Sequence, residues 1–172
     1  MTQALERLYT ARRDLQLAKF CCEHVLRNDW DAETVNFTGP VEDFYHLQAY
    51  MTAMVVAYGR PFTDSGSKHR LPREFTPRAS KRWRNLHGRV LDARHKAYAH
   101  SDPGLNEVAL TTSPINVTYT QVLLLFTRED LEELCQMIDD VRERLKAEIA
   151  RYVSEAPPAP TPPPLASGSQ PA

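Results

Sequence analysis

Positions 83, 87, 91, 94 and 98 carry Trp, His, Leu, Arg and Tyr, and at 100° per residue these five fall on one side of a helix. Aromatic and imidazole rings interleaved with arginine suit a partner surface or an RNA site, because rings stack on bases and a guanidinium binds phosphate. The competing reading is a half-buried helix face whose amphipathic side chains bury their stems and keep their tips in water. The same segment contains the string Arg94-His95-Lys96-Ala97-Tyr98-Ala99-His100. On a straight helix Arg94 and His100 would stand ~9 Å apart along the axis and ~120° apart around it. They converge only if the helix unwinds near Ala99, as Ser101-Asp102-Pro103-Gly104 permits, or if a second chain brings its own copy across a two-fold axis. A homodimer with a shared cleft is the natural expectation. Taken alone, a His near a helix C-terminus also suits the helix dipole, and Asp102 suits simple helix termination.

The helix carrying these residues is expected to start at Thr76-Pro77, as N-cap and first helical residue, to bury Leu86, Val90, Ala93 and Ala97, and to end at Pro103-Gly104. Three further helices must hold it. Leu8, Ala11, Leu15, Ala18, Cys22 and Val25 recur at spacings of three and four, which predicts a first helix over about 3–27. Phe44, Leu47, Met51, Met54 and Tyr58 mark a second, stopped near Gly59 by Pro61. Residues 61–76, with Pro61, Gly66 and Pro72 and no sustained period, read as a long loop. From Glu107 to Phe126 the Val-, Thr-, Ile- and Tyr-rich composition, with a turn at Ser113-Pro114-Ile115-Asn116, predicts a small β-hairpin. Thr127 with Asp130 forms a capping-box pattern for a last helix striped by Leu131, Leu134, Ile138, Val141, Leu145 and Ile149.

The expected fold is mainly α: an up-and-down bundle of about four long helices, with the hairpin inserted before the last. The expected domain spans 1–153. Residues 154–172, rich in Pro, Ala, Ser and Thr, offer nothing to bury and are expected to form a disordered tail. An apolar share of 42% and a charged share of 25% are those of a globular body. The net charge of −1 predicts no bulk attraction to nucleic acid or anionic membrane, yet eight Lys or Arg lie between Lys68 and Arg89 against the single acid Glu74. That stretch would draw in an RNA backbone, or serve only as the polar side of a loop and helix start. Cys21, Cys22 and Cys135 lack metal-ligand spacing, so reduced thiols, no metal and no cofactor are expected. No apolar run approaches the ~20 residues that span a bilayer, and Met1 to Arg7 has no signal-peptide core, so a cytoplasmic protein without membrane contact is expected.

The string from Leu86 to Asp102 resembles the signature of the HEPN family: an Arg, commonly followed by Asn, Asp or His, then a His after four to six residues. Arg94, His95 and His100 match each element. The segment Tyr50 to Phe62, ending Ala-Tyr-Gly-Arg-Pro-Phe, is similar to the preceding helix of HEPN proteins related to abortive-infection systems. The resemblance covers roughly residues 41–150. It implies a dimerising helical bundle and, in many members, a metal-independent endoribonuclease of toxin–antitoxin or phage-defence systems, with RNA as substrate and an antitoxin protein as a further partner. It implies His100 as general acid or base, Arg94 on the phosphate, and His95 as a supporting or second proton-transfer group. Around them Lys96, Tyr98, His87, Arg60 and Asp102 are candidate substrate contacts; solvated charge and packing are the default readings of Lys96 and Tyr98, and Arg60 equally suits the dipole at the end of helix two. One subgroup carries a modifiable Tyr two residues after the His, where this chain has Asp102, so that regulation is not expected. Other members are non-catalytic, which leaves a module binding RNA, a nucleotide or a protein as the alternative.

Overall fold

The computed structural model describes residues 3–30, 40–64, 70–95, 106–112, 115–121 and 126–155. Four helices share one core: α1 (Gln3–Arg27), α2 (Val41–Gly59), α3 (Lys81–Ala93) and α4 (Arg128–Ser154). Between α3 and α4, strands β1 (Asn106–Thr112) and β2 (Ile115–Gln121) pair antiparallel, with Asn106 opposite Gln121 and Thr112 opposite Ile115. The apolar stripes dictate the packing. All six stripe residues of α1, and all six of α4, are buried, as are Leu47, Met51, Met54 and Tyr58 of α2. On α3 Leu86, Val90 and Ala93 complete the core.

α1 touches α2 on one side and α4 on the other, and α3 touches the same two. α1 and α2 run antiparallel: His24 stacks on Tyr50 with ring centroids 4.1 Å apart, and Asp14 pairs with Arg60 at the far end. α1 and α4 do the same, from Asp29–Arg128 at one end through Cys22–Leu131 to Lys19–Asp139. The start of α4 is the capping box read from the sequence. Thr127 Oγ1 accepts from the Asp130 backbone at 3.1 Å, and the Thr127 backbone N–H donates to Asp130 Oδ2 at 3.1 Å.

Two expectations need correction. α3 begins after Ser80, not at Thr76-Pro77: Ser80 is extended (φ −139°, ψ 167°) and its Oγ accepts from the Trp83 N–H at 3.0 Å. Thr76 instead closes a 3-10 turn by donating its N–H to Arg73 O, and Phe75 and Pro77 are buried, so this proline packs rather than starting a helix. The described parts of the expected 61–76 loop are also built onto the core. Short 3-10 turns form at Arg60–Phe62 and Arg73–Phe75, and Phe62, Leu71 and Phe75 are buried. The Leu71 N–H donates to Pro61 O at 2.7 Å, and Arg144 of α4 donates to Glu74 O at 2.7 Å. The expected end of α3 at Pro103-Gly104 and the tail beyond residue 155 lie outside the described residues.

Candidate functional site

The C-terminal end of α2 meets the second half of α3, and the polar side chains of both collect there. Arg94 follows the last residue of α3 in helical conformation (φ −57°, ψ −44°), its N–H shared between Leu91 O and Val90 O. Its half-buried side chain crosses the end of α2 at Gly59. A Cβ on Gly59 would collide with Arg94 Cδ and stand 3.1 Å from Nε, so only glycine leaves room for the arginine stem here. Arg94 Nε is buried without a hydrogen-bond partner among the described residues. Such an orphaned donor raises the attraction of the guanidinium for an anion, because a buried N–H left unpaired costs about 1–3 kcal/mol.

Two turns back on α3, His87 turns inward. Its Nδ1 lies 2.8 Å from the hydroxyl of fully buried Tyr58, and its ring stands edge-on to Phe62 with centroids 4.9 Å apart. Burial lowers the imidazole pKa to about 4 and raises that of the phenol above its ordinary value. His87 is therefore neutral near pH 7. The tautomer that satisfies the buried phenol has Tyr58 donating to Nδ1, with the ring proton on Nε2. Next along α2, Arg60 pairs with Asp14 at 3.7 Å; Asp14 is buried within the apolar stripe of α1, whereas the Arg60 side chain is 52% exposed.

His95 is exposed beside Arg94. Lys96, Tyr98, His100 and Asp102 lie outside the described residues, so the Arg94–His100 approach does too. Of the expected face on α3, Trp83, His87, Leu91 and Arg94 are all half-buried, and Trp83 and Leu91 pack against the core. The basic stretch is partly committed internally. Arg89 forms a two-point ion pair with Asp130, at 3.0 and 2.8 Å, with its guanidinium over the Phe126 ring. Arg82 pairs with Glu133 and Glu129, and Arg70 with Asp64. Arg73, Arg78, Lys81 and Arg84 are exposed and enter no ion pair among the described residues.

The sequence reading missed Asp14, Tyr58 and Gly59 as parts of this end of the bundle. Asp14 carried a signal, since a carboxylate inside an apolar stripe calls for a partner. Among the described residues no group of His, Cys, Asp and Glu could hold a metal ion, and no helix is long and apolar enough to cross a membrane. Comparison with models of known families, with curated proteins and with solved structures gave no match.

Proposed function

We propose that the chain is a metal-independent endoribonuclease of the HEPN type that works as a homodimer, with Arg94 holding the scissile phosphate and His100, assisted by His95, moving protons. Arg94 is the observation that supports this most: a half-buried guanidinium crossing the end of α2 over a glycine, its Nε unpaired among the described residues, beside an exposed imidazole. In this reaction the ribose 2′-oxygen loses its proton to a base and forms a bond to the adjacent phosphorus. The bond to the 5′-oxygen breaks, and that oxygen takes a proton from an acid. The products carry a 2′,3′-cyclic phosphate and a 5′-hydroxyl. An ordinary His pKa near ~6.5 suits either proton transfer, and a planar arginine fork suits the charge that builds on the phosphorane. Arg73, Arg78, Lys81 and Arg84 supply exposed positive charge for the RNA backbone. The resemblance suggests a toxin–antitoxin or phage-defence setting, with an antitoxin protein as partner.

A binding module on the same fold is the second reading. It is favoured by Arg60 and His87, two expected RNA contacts that already hold Asp14 and Tyr58. Incubating the full chain with a labelled RNA pool in EDTA and mapping the product ends separates the two. Cleavage to 2′,3′-cyclic phosphate ends supports the nuclease; RNA retained intact on the protein supports the binding module; cleavage that requires a divalent ion overturns the metal-independent mechanism.

A further inference from the structure

Cys22 sits fully buried in the stripe by which α1 faces α4, and its Sγ lies 3.1 Å from the Leu131 carbonyl, to which it donates. Cys135 follows Leu131 by four residues, so the two lie one above the other on the same face of α4. The Cys22–Leu131 and Lys19–Asp139 contacts fall one turn of α4 to either side of Cys135, so α1 presents Cys22 to the turn that carries Cys135. Cys135 is only partly buried, whereas Cys21 is buried and rotated ~100° around α1 from Cys22. Beside the pair stands Lys19, itself held by Asp139 and Glu23.

We propose that Cys22 and Cys135 form a site of reversible oxidative modification, closing to an intramolecular disulfide between α1 and α4 when hydrogen peroxide reaches Cys135. The proposal is independent of the ribonuclease reading. Cys135 is the attacking sulfur because it is the accessible member of the pair. The neighbouring Cys22 side chain, followed by the Lys19 charge, holds its thiol below the ordinary value despite burial and the opposing Glu23 and Asp139. The Cys135 thiolate attacks one peroxide oxygen: an S–O bond forms, the O–O bond breaks, and hydroxide leaves to take up a proton as water. The Cys22 sulfur then attacks the sulfenic sulfur, forming the S–S bond and breaking S–O, and a second water leaves with the Cys22 proton. Two thiols are oxidised and one peroxide is reduced, so electrons balance. The bond would join the first helix to the last, enclosing α2, α3 and both strands in one covalent loop.

The test uses the reduced full chain treated with hydrogen peroxide. Free thiols should fall from three to one, with a mass loss of about 2 Da and a Tm rise of roughly 5 °C or more, all reversed by dithiothreitol. Tryptic mapping should join peptide 20–27 to peptide 129–142. That link should persist in Cys21→Ser and vanish in Cys135→Ser, a partly exposed position whose variant keeps the core intact. Retention of all three thiols, over-oxidation of Cys135 without a link, a link through Cys21, or a link between two chains would each overturn the proposal.

Discussion

Gly59 has helical backbone angles (φ −74°, ψ −26°), so its lack of a side chain answers a need for space rather than for backbone freedom. What occupies the space is the Arg94 stem. Gly59→Ala should therefore displace the guanidinium while changing unfolding free energy by no more than about 1 kcal/mol, since alanine itself favours helix. A ~10-fold or greater loss of RNA cleavage at near-wild-type stability is expected, in line with the sensitivity of reactions to ångström-scale misplacement. Unchanged cleavage would detach Arg94 from the chemistry. His87 predicts a pH effect with a definite sign. Its folded pKa of about 4 lies below the ordinary ~6.5, so between these values the unfolded chain binds the extra proton. Stability should thus fall as pH drops from ~6.5 to ~4, by about 2 kcal/mol after allowance for partial solvent access. Denaturant titrations of wild type and His87→Leu should show the fall shrinking in the variant. At this scale the sequence exposed residue types and faces but not pairings. It singled out Arg94 and His95; it did not reveal that Asp14 meets Arg60 or that Tyr58 meets His87, because helical periodicity says which side is buried and not what lies opposite.

Among the elements, those defined by local physics were the most legible. α1 spans Gln3–Arg27 because its apolar spacing runs uninterrupted, and α4 opens on Thr127 because a hydroxyl and a carboxylate three residues apart satisfy each other's backbone donors. Thr127→Ala should cost about 1 kcal/mol, read as a lower denaturation midpoint. Asp130→Ala should cost more, because the carboxylate also anchors Arg89 of α3. The two-point Arg89 bond and the Thr127 backbone hold Asp130 below the usual carboxylate range although burial opposes this. Equal losses in the two variants would show that the Arg89 pair adds nothing to the cap. The beginning of α3 was misjudged for a tertiary reason. Thr76-Pro77 has local helix-start chemistry, but Phe75 and Pro77 are drawn into the core, and the cap passes to Ser80. The segment before it likewise has no period to reveal Phe62, Leu71 and Phe75 as buried anchors.

At the scale of the whole molecule, a four-helix core brings the end of α2 and the end of α3 together and leaves Arg94 and His95 at that junction. The stripes made the helical bundle legible in advance, whereas a cleft assembled with His100 or with a second chain depends on geometry that no spacing encodes. The account stands on Arg94 and His100 acting as one site, and cleavage of labelled RNA in EDTA by purified wild type, Arg94→Ala and His100→Ala tests that most directly. It predicts that both variants keep the wild-type circular dichroism spectrum and lose roughly 10²–10³-fold or more in rate, with the wild-type products ending in 2′,3′-cyclic phosphate. Full cleavage by either folded variant would contradict it.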